Sequence, residues 1–218
     1  MGPVTARAHR DVPSPAPGSP PDGAAGRFIG VRLAGAAGLA GVLAAAGGVA
    51  GSAVAYPGFS LWYDNLSALG VGSTAPLFNT GLLAGGALMA LMAVGILGNL
   101  CKGRPLRRAG AALLAAALAL LAAVGILTED FGKLHFYTAA GFFSLLAASS
   151  LLLGLSLFRD PRLRWPGRLA LFSAFMGVSA WFLPGEGWAI SELAAAVPGM
   201  LWVGALAWTM AGRPEGNR

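Results

Sequence analysis

Six apolar stretches, near residues 33–55, 76–100, 109–127, 134–158, 169–183 and 192–211, leave this chain little from which to build anything but packed apolar helices. A helix crosses the ~30 Å hydrocarbon core of a bilayer with about 20 mostly apolar residues. The stretch at 169–183 is the shortest, and it reaches spanning length only by drawing in Arg168 and extending toward Pro184. Charged residues make up 11% of the chain, against about 25% in an ordinary soluble domain. A soluble globular fold is thereby excluded.

The breaks between the stretches alternate in charge. Basic residues precede the first (Arg7, Arg10, Arg27, Arg32) and separate the second from the third (Lys102, Arg104, Arg107, Arg108). They recur between the fourth and fifth (Arg159, Arg162, Arg164, Arg168) and after the sixth (Arg213, Arg218). Fourteen of the fifteen Lys and Arg residues therefore fall on one side of the alternation, and the other side holds only Lys133. Short basic loops stay cytoplasmic during insertion. The expectation is an all-α, polytopic membrane protein: a six-transmembrane-helix bundle over 28–212 with both termini cytoplasmic, in the cell (plasma) membrane.

The pI near 10.4 does not point to nucleic acid, because the basic residues are juxtamembrane clusters that topology explains. Such clusters also meet anionic headgroups. The single cysteine, Cys101, excludes an internal disulfide. It falls at the expected cytoplasmic end of the second helix, where acylation competes with the plainer reading of an inert thiol.

Residues 1–27 are rich in Pro, Gly and Ala, too poor in apolar side chains to offset their ordering entropy. They read as a disordered cytoplasmic tail, with a second short tail over 213–218. A basic lead, an apolar run and the small-x-small end Ala53-Val54-Ala55 also describe a secretory signal peptide. The run is long for that role, which uses about 7–15 apolar residues. Glycines at spacings of three and four in the first two helices (Gly35, Gly38, Gly41, Gly47, Gly48, Gly51; Gly81, Gly85, Gly86, Gly95) predict tight helix pairing, since close backbone approach replaces the hydrophobic drive in lipid.

Chemistry-bearing side chains gather on the expected outer face. The first outer segment, residues 56–70, is too apolar for a free loop and reads as a short element folded back onto the bundle, with Asp64, Asn65 and Ser67 as its polar points. Asn79 opens the second helix; Thr128, Glu129, Asp130, Lys133 and His135 follow in the next outer turn, and Glu186, Ser191 and Glu192 in the last. Five acids against one lysine make this surface acidic.

Each group has a structural reading beside the functional one. Asp64 can bond its own segment, and Glu129, Asp130 and Glu186 can solvate turns. His135 can make a structural hydrogen bond, and Glu192 can complement a helix dipole. Asn65-Leu66-Ser67 matches the N-glycosylation pattern. The aromatics beside the acids (Trp62-Tyr63, Phe131, Trp188) suit an interfacial belt.

The functional reading has Asp64, Glu129 or Asp130, His135 and Glu192 converging on one outward-opening cavity. Such a set binds a lipid or a partner membrane protein; alternatively it supplies acid and base, or divalent-metal ligands, to a lipid-directed enzyme. A small transporter is the third reading, disfavoured because the helix middles carry no ionisable groups. No HExxH, GxSxG or multi-histidine set is present, so no motif names a metal or a cofactor.

Residues 56–70, followed by Ala75-Pro76-Leu77-Phe78-Asn79-Thr80-Gly81, resemble the opening signature of an uncharacterised prokaryotic membrane family, domain of unknown function 998. The block Glu129-Asp130-Phe131-Gly132-Lys133-Leu134-His135 resembles its second recognisable segment. The resemblance covers about 33–211 and implies a six-helix membrane bundle without assigning an activity. It marks Asp64, Asn65, Asn79 and His135 as the family-like polar positions. Ser191-Glu192 lacks the basic residue that often follows the polar one at the start of the family's last helix.

Overall fold

The computed structural model describes residues 29–213. The tail expected over 1–27 and nearly all of the 213–218 tail lie outside the described residues.

Six α-helices follow one another: α1 (Val31–Ala55), α2 (Ala75–Leu100), α3 (Pro105–Val124), α4 (Lys133–Phe158), α5 (Arg164–Ser179) and α6 (Ala189–Ala211). Short 3₁₀ turns occupy Leu66–Gly70, Glu129–Phe131 and Ala180–Phe182, and no strand occurs among the described residues. Both α2 and α3 carry proline in their first turn, where its missing N–H leaves no hydrogen bond unmade. All of these helices except α5 are long and apolar enough to cross a membrane, which makes this a multi-pass membrane protein. With 16 residues, α5 is about 24 Å long. The chain tightens into a 3₁₀ turn at Ala180 instead of continuing to Leu183.

Each helix packs on its neighbours in sequence, and α6 closes back onto α1, giving a ring of antiparallel helices. Its interior is filled by Met89, Met92 and Ile96 of α2, Leu114 and Leu118 of α3, Leu153 and Leu157 of α4, and Trp202, Leu206 and Met210 of α6. The glycines divide between two partners. A Cβ on Gly48 would lie 2.8 Å from the Gly81 Cα, so the α1–α2 seam requires glycine there. Gly86 instead faces α3, where a Cβ would lie 2.7 Å from the Leu118 carbonyl oxygen, and Gly47 faces open space. Only part of the glycine pattern therefore serves the expected α1–α2 pair.

The connections fall at two ends. At the basic end, Arg107 is buried and binds three pieces of chain at once. Its Nε donates to Ser156 Oγ at 3.2 Å, its Nη1 to the Leu100 carbonyl at 3.4 Å, and its Nη2 to the Ser156 carbonyl at 3.3 Å. Asp160 lies 3.5 Å from the same guanidinium. Cys101 is buried beside this cluster. Burial raises its thiol pKa, against the lowering pull of Arg107 and Arg108. The opposite, acidic end carries residues 56–74, 125–132 and 180–188, which build the site.

Candidate functional site

The first acidic-end segment folds back as its composition predicts. Leu66 and Leu69 are buried in the bundle, while Trp62 and Tyr63 stay exposed. Its backbone pairs with the last connection: Glu186 N–H and Gly187 N–H donate to the Trp62 carbonyl at 3.0 and 2.9 Å, and Ala189 N–H donates to the Asp64 carbonyl at 3.0 Å. A Cβ on Gly187 would strike that Asp64 carbonyl, so glycine is what lets the two chains approach.

Asn65 ties all three connections together. Its Oδ1 accepts from Trp188 N–H at 3.1 Å, and its Nδ2 donates to Glu129 Oε1 at 3.1 Å. Both bonds fit one amide orientation, carbonyl to donor and NH₂ to carboxylate. With that NH₂ engaged and Ser67 buried, the Asn65-Leu66-Ser67 pattern is not presented as a free glycan acceptor. Glu192, in the first turn of α6, takes the Leu66 N–H on its Oε2 at 2.7 Å. Its carboxylate holds the folded-back segment as well as complementing its own helix terminus.

His135 sits in the first turn of α4, 8% exposed, with Nδ1 2.6 Å from the Leu127 carbonyl oxygen. A carbonyl only accepts, so Nδ1 carries a proton. The turn that delivers it depends on Gly132, whose φ of 56° and ψ of −117° suit glycine alone.

Asn65, Glu129, His135 and Glu192 thus meet around one cavity of about 610 Å³. Ser67 and Gly132 share the polar rim, and Phe136, Ala139, Ala140, Phe143, Ser144, Trp181 and Trp188 form the walls. The rings interlock: Phe143 meets Trp181 edge-on at 5.0 Å between centroids, and Trp181 meets Trp188 at 6.0 Å. The Trp181 indole N–H donates to the Gly177 carbonyl at 2.9 Å, which fixes the ring at the end of α5.

Three expected residues stand apart from this cavity. Asp64 turns its carboxylate onto its own segment, with Oδ2 accepting from Ser60 N–H at 2.8 Å, and it does not line the cavity. Asp130 is exposed on the turn. Asn79 donates to the Gly70 carbonyl at 2.9 Å and pins the folded-back segment to α2, leaving its Oδ1 buried without a partner. Among the described residues no three His, Cys, Asp or Glu side chains form a group that could hold a metal ion.

Sequence reasoning missed the aromatic floor. Phe136, Ala140 and Phe143 follow His135 at helical spacing, so their shared face was readable. Trp181 carried no signal separating it from a belt residue.

No curated protein and no solved structure matches the chain. The family model for proteins of unknown function DUF998 matches residues 39–209. The chain belongs to the DUF998 family, whose domain of unknown function it carries over most of its length.

Proposed function

We propose that this protein crosses the plasma membrane six times with both termini cytoplasmic, and binds a membrane lipid in the cavity at its acidic, outward-facing end. The observation that carries the reading is the two-faced lining of that cavity: carboxylates, an amide and an imidazole at the rim, and four aromatic rings toward the helices. An amphiphile matches both faces: its apolar part meets the aromatic wall, and a purely apolar ligand would leave the rim's polar groups unpaired. The basic residues of the opposite end support the orientation. Exposed Tyr63, Phe131, Phe136 and Tyr137 suit the headgroup layer around the rim.

The test is lipid retention by the detergent-purified protein, read by native mass spectrometry. Wild type keeps bound lipid; Ala140→Trp, which fills the cavity, loses it while keeping its helical content. Equal retention by both proteins would overturn the reading.

A second reading has one specific observation in its favour. The Nδ1 bond to Leu127 holds the His135 ring in one cavity with Glu129 and Glu192, residue types that serve as general acid and base. Turnover of a bound amphiphile by wild type and its loss in His135→Gln would establish an enzyme. Transport finds less support, because ionisable side chains among the described residues sit only near helix ends.

A further inference from the structure

The cavity shares part of its wall with a second space. Ser144 and Trp181 also line this space, a groove of about 900 Å³ between α4 and α5. Its sides are Ala147, Ala148 and Leu151 of α4 and Leu171, Ala174, Phe175 and Val178 of α5. Phe175 is 66% exposed and Val178 59%, so the groove lies open on the outside of the ring. From Ser144 to Leu151 it runs about 10 Å along α4, two thirds of the ~15 Å hydrocarbon depth of one leaflet.

The two carboxylates of the polar cavity are only partly engaged. Glu129 and Glu192 each use one oxygen on the folded-back segment, and among the described residues each leaves its other oxygen unbonded. His135, more than nine-tenths buried, makes its hydrogen bond through Nδ1 and lines the same cavity. No lysine or arginine is among the lining residues of either space.

Two free carboxylate oxygens with no lysine or arginine among the lining residues call for a ligand that brings positive charge and more than one donor. A primary ammonium supplies both. A quaternary ammonium would bring the charge and leave both oxygens unpaired.

We infer that the cavity and the α4–α5 groove form one seat for a phospholipid with a primary-ammonium headgroup: the ammonium at the free oxygens of Glu129 and Glu192, and one acyl chain in the groove. This rests on the lipid-binding reading above and names the lipid.

The test is competition for the purified protein in detergent among lipids of identical chains, read by native mass spectrometry. The probes are phosphatidylethanolamine, its N-acetylated derivative, phosphatidylcholine, phosphatidylserine and phosphatidylglycerol, with free phosphoethanolamine as the chainless control. Phosphatidylethanolamine and phosphatidylserine, which carry the ammonium, are expected to outcompete the N-acetylated derivative, phosphatidylcholine and phosphatidylglycerol about tenfold, the effect of one charge-assisted hydrogen bond. The double variant Glu129→Gln/Glu192→Gln should erase that preference. Ala148→Phe, a change on an exposed position, should weaken all lipids alike and leave helical content unchanged.

Lipid bound with no headgroup preference would overturn the ammonium assignment while the lipid-binding reading stands. Free phosphoethanolamine binding as tightly as the lipid, with no effect of Ala148→Phe, would overturn the chain seat. No lipid retained at all would overturn both.

Discussion

A single amide holds the candidate site in shape. Asn65 receives Trp188 N–H and donates to Glu129, so each connection at the acidic end is fixed relative to the other two. A hydrogen bond to a charged partner contributes about 1.5–3 kcal/mol, and a neutral one about 1 kcal/mol. Asn65→Ala should therefore lower unfolding stability in detergent by about 2–3 kcal/mol and reduce lipid retention. Asn65→Asp should be worse, because it sets a carboxylate against Glu129; equal stability of the two variants would contradict this account. Gly187→Val should separate the same strands of chain, since no Cβ fits beside the Asp64 carbonyl. At the other end, Cys101 reacts only as thiolate, and burial raises its thiol pKa. Its maleimide labelling in detergent near neutral pH should be much slower than that of an exposed Arg162→Cys, and should accelerate as pH rises. Equal rates would remove the buried thiol.

Among the elements, the seams differ in what they tolerate, and that difference is measurable. Gly48→Leu pushes a side chain into the Gly81 backbone, an overpacking that costs about 1–3 kcal/mol or more. Gly47→Leu, one residue away and facing open space, should be neutral or slightly stabilising through helix propensity. A thermal-unfolding comparison settles it, and similar losses for both would contradict the seam. Asp160→Asn leaves the buried Arg107 guanidinium short of its counter-charge. The expected loss is about 1–3 kcal/mol, below the 3–5 typical of a fully buried pair, because the Asp160 side chain is 20% exposed.

These elements also show what the sequence could and could not reveal. Helix positions were legible because polar breaks, basic and acidic by turns, separate the apolar runs. Asn65, Glu129, His135 and Glu192 were legible because each is a polar group at the end of an otherwise apolar helix or segment. Asp64 looked equivalent, but a carboxylate can bond a backbone N–H four residues back, and no pattern distinguishes that from facing a cavity. The end of α5 was only partly legible: Pro184 drives Leu183 into its extended conformation, but nothing before it signals the tightening into a 3₁₀ turn at Ala180.

For the whole molecule, the ring closes through α1 and α6 and leaves its two ends chemically opposite, acidic on one side and basic on the other. Single cysteines at Ser73 and Arg162, both exposed, in a Cys101→Ala background, report the orientation. Ser73→Cys should label from outside intact cells, and Arg162→Cys only after permeabilisation; the reverse would invert the protein. The short α5 belongs to this scale too. Trp181, just past its end, lines both cavity and groove, and the proposed seat runs continuously past it from headgroup to chain. That continuity is the central claim. Phosphatidylethanolamine bearing a photoreactive acyl chain, irradiated in membranes containing the protein and mapped by peptide mass spectrometry, tests it most directly. Adducts should concentrate on residues 147–151 and 174–182 and disappear in Ala148→Phe; adducts spread evenly over the outer faces of all six helices would contradict it.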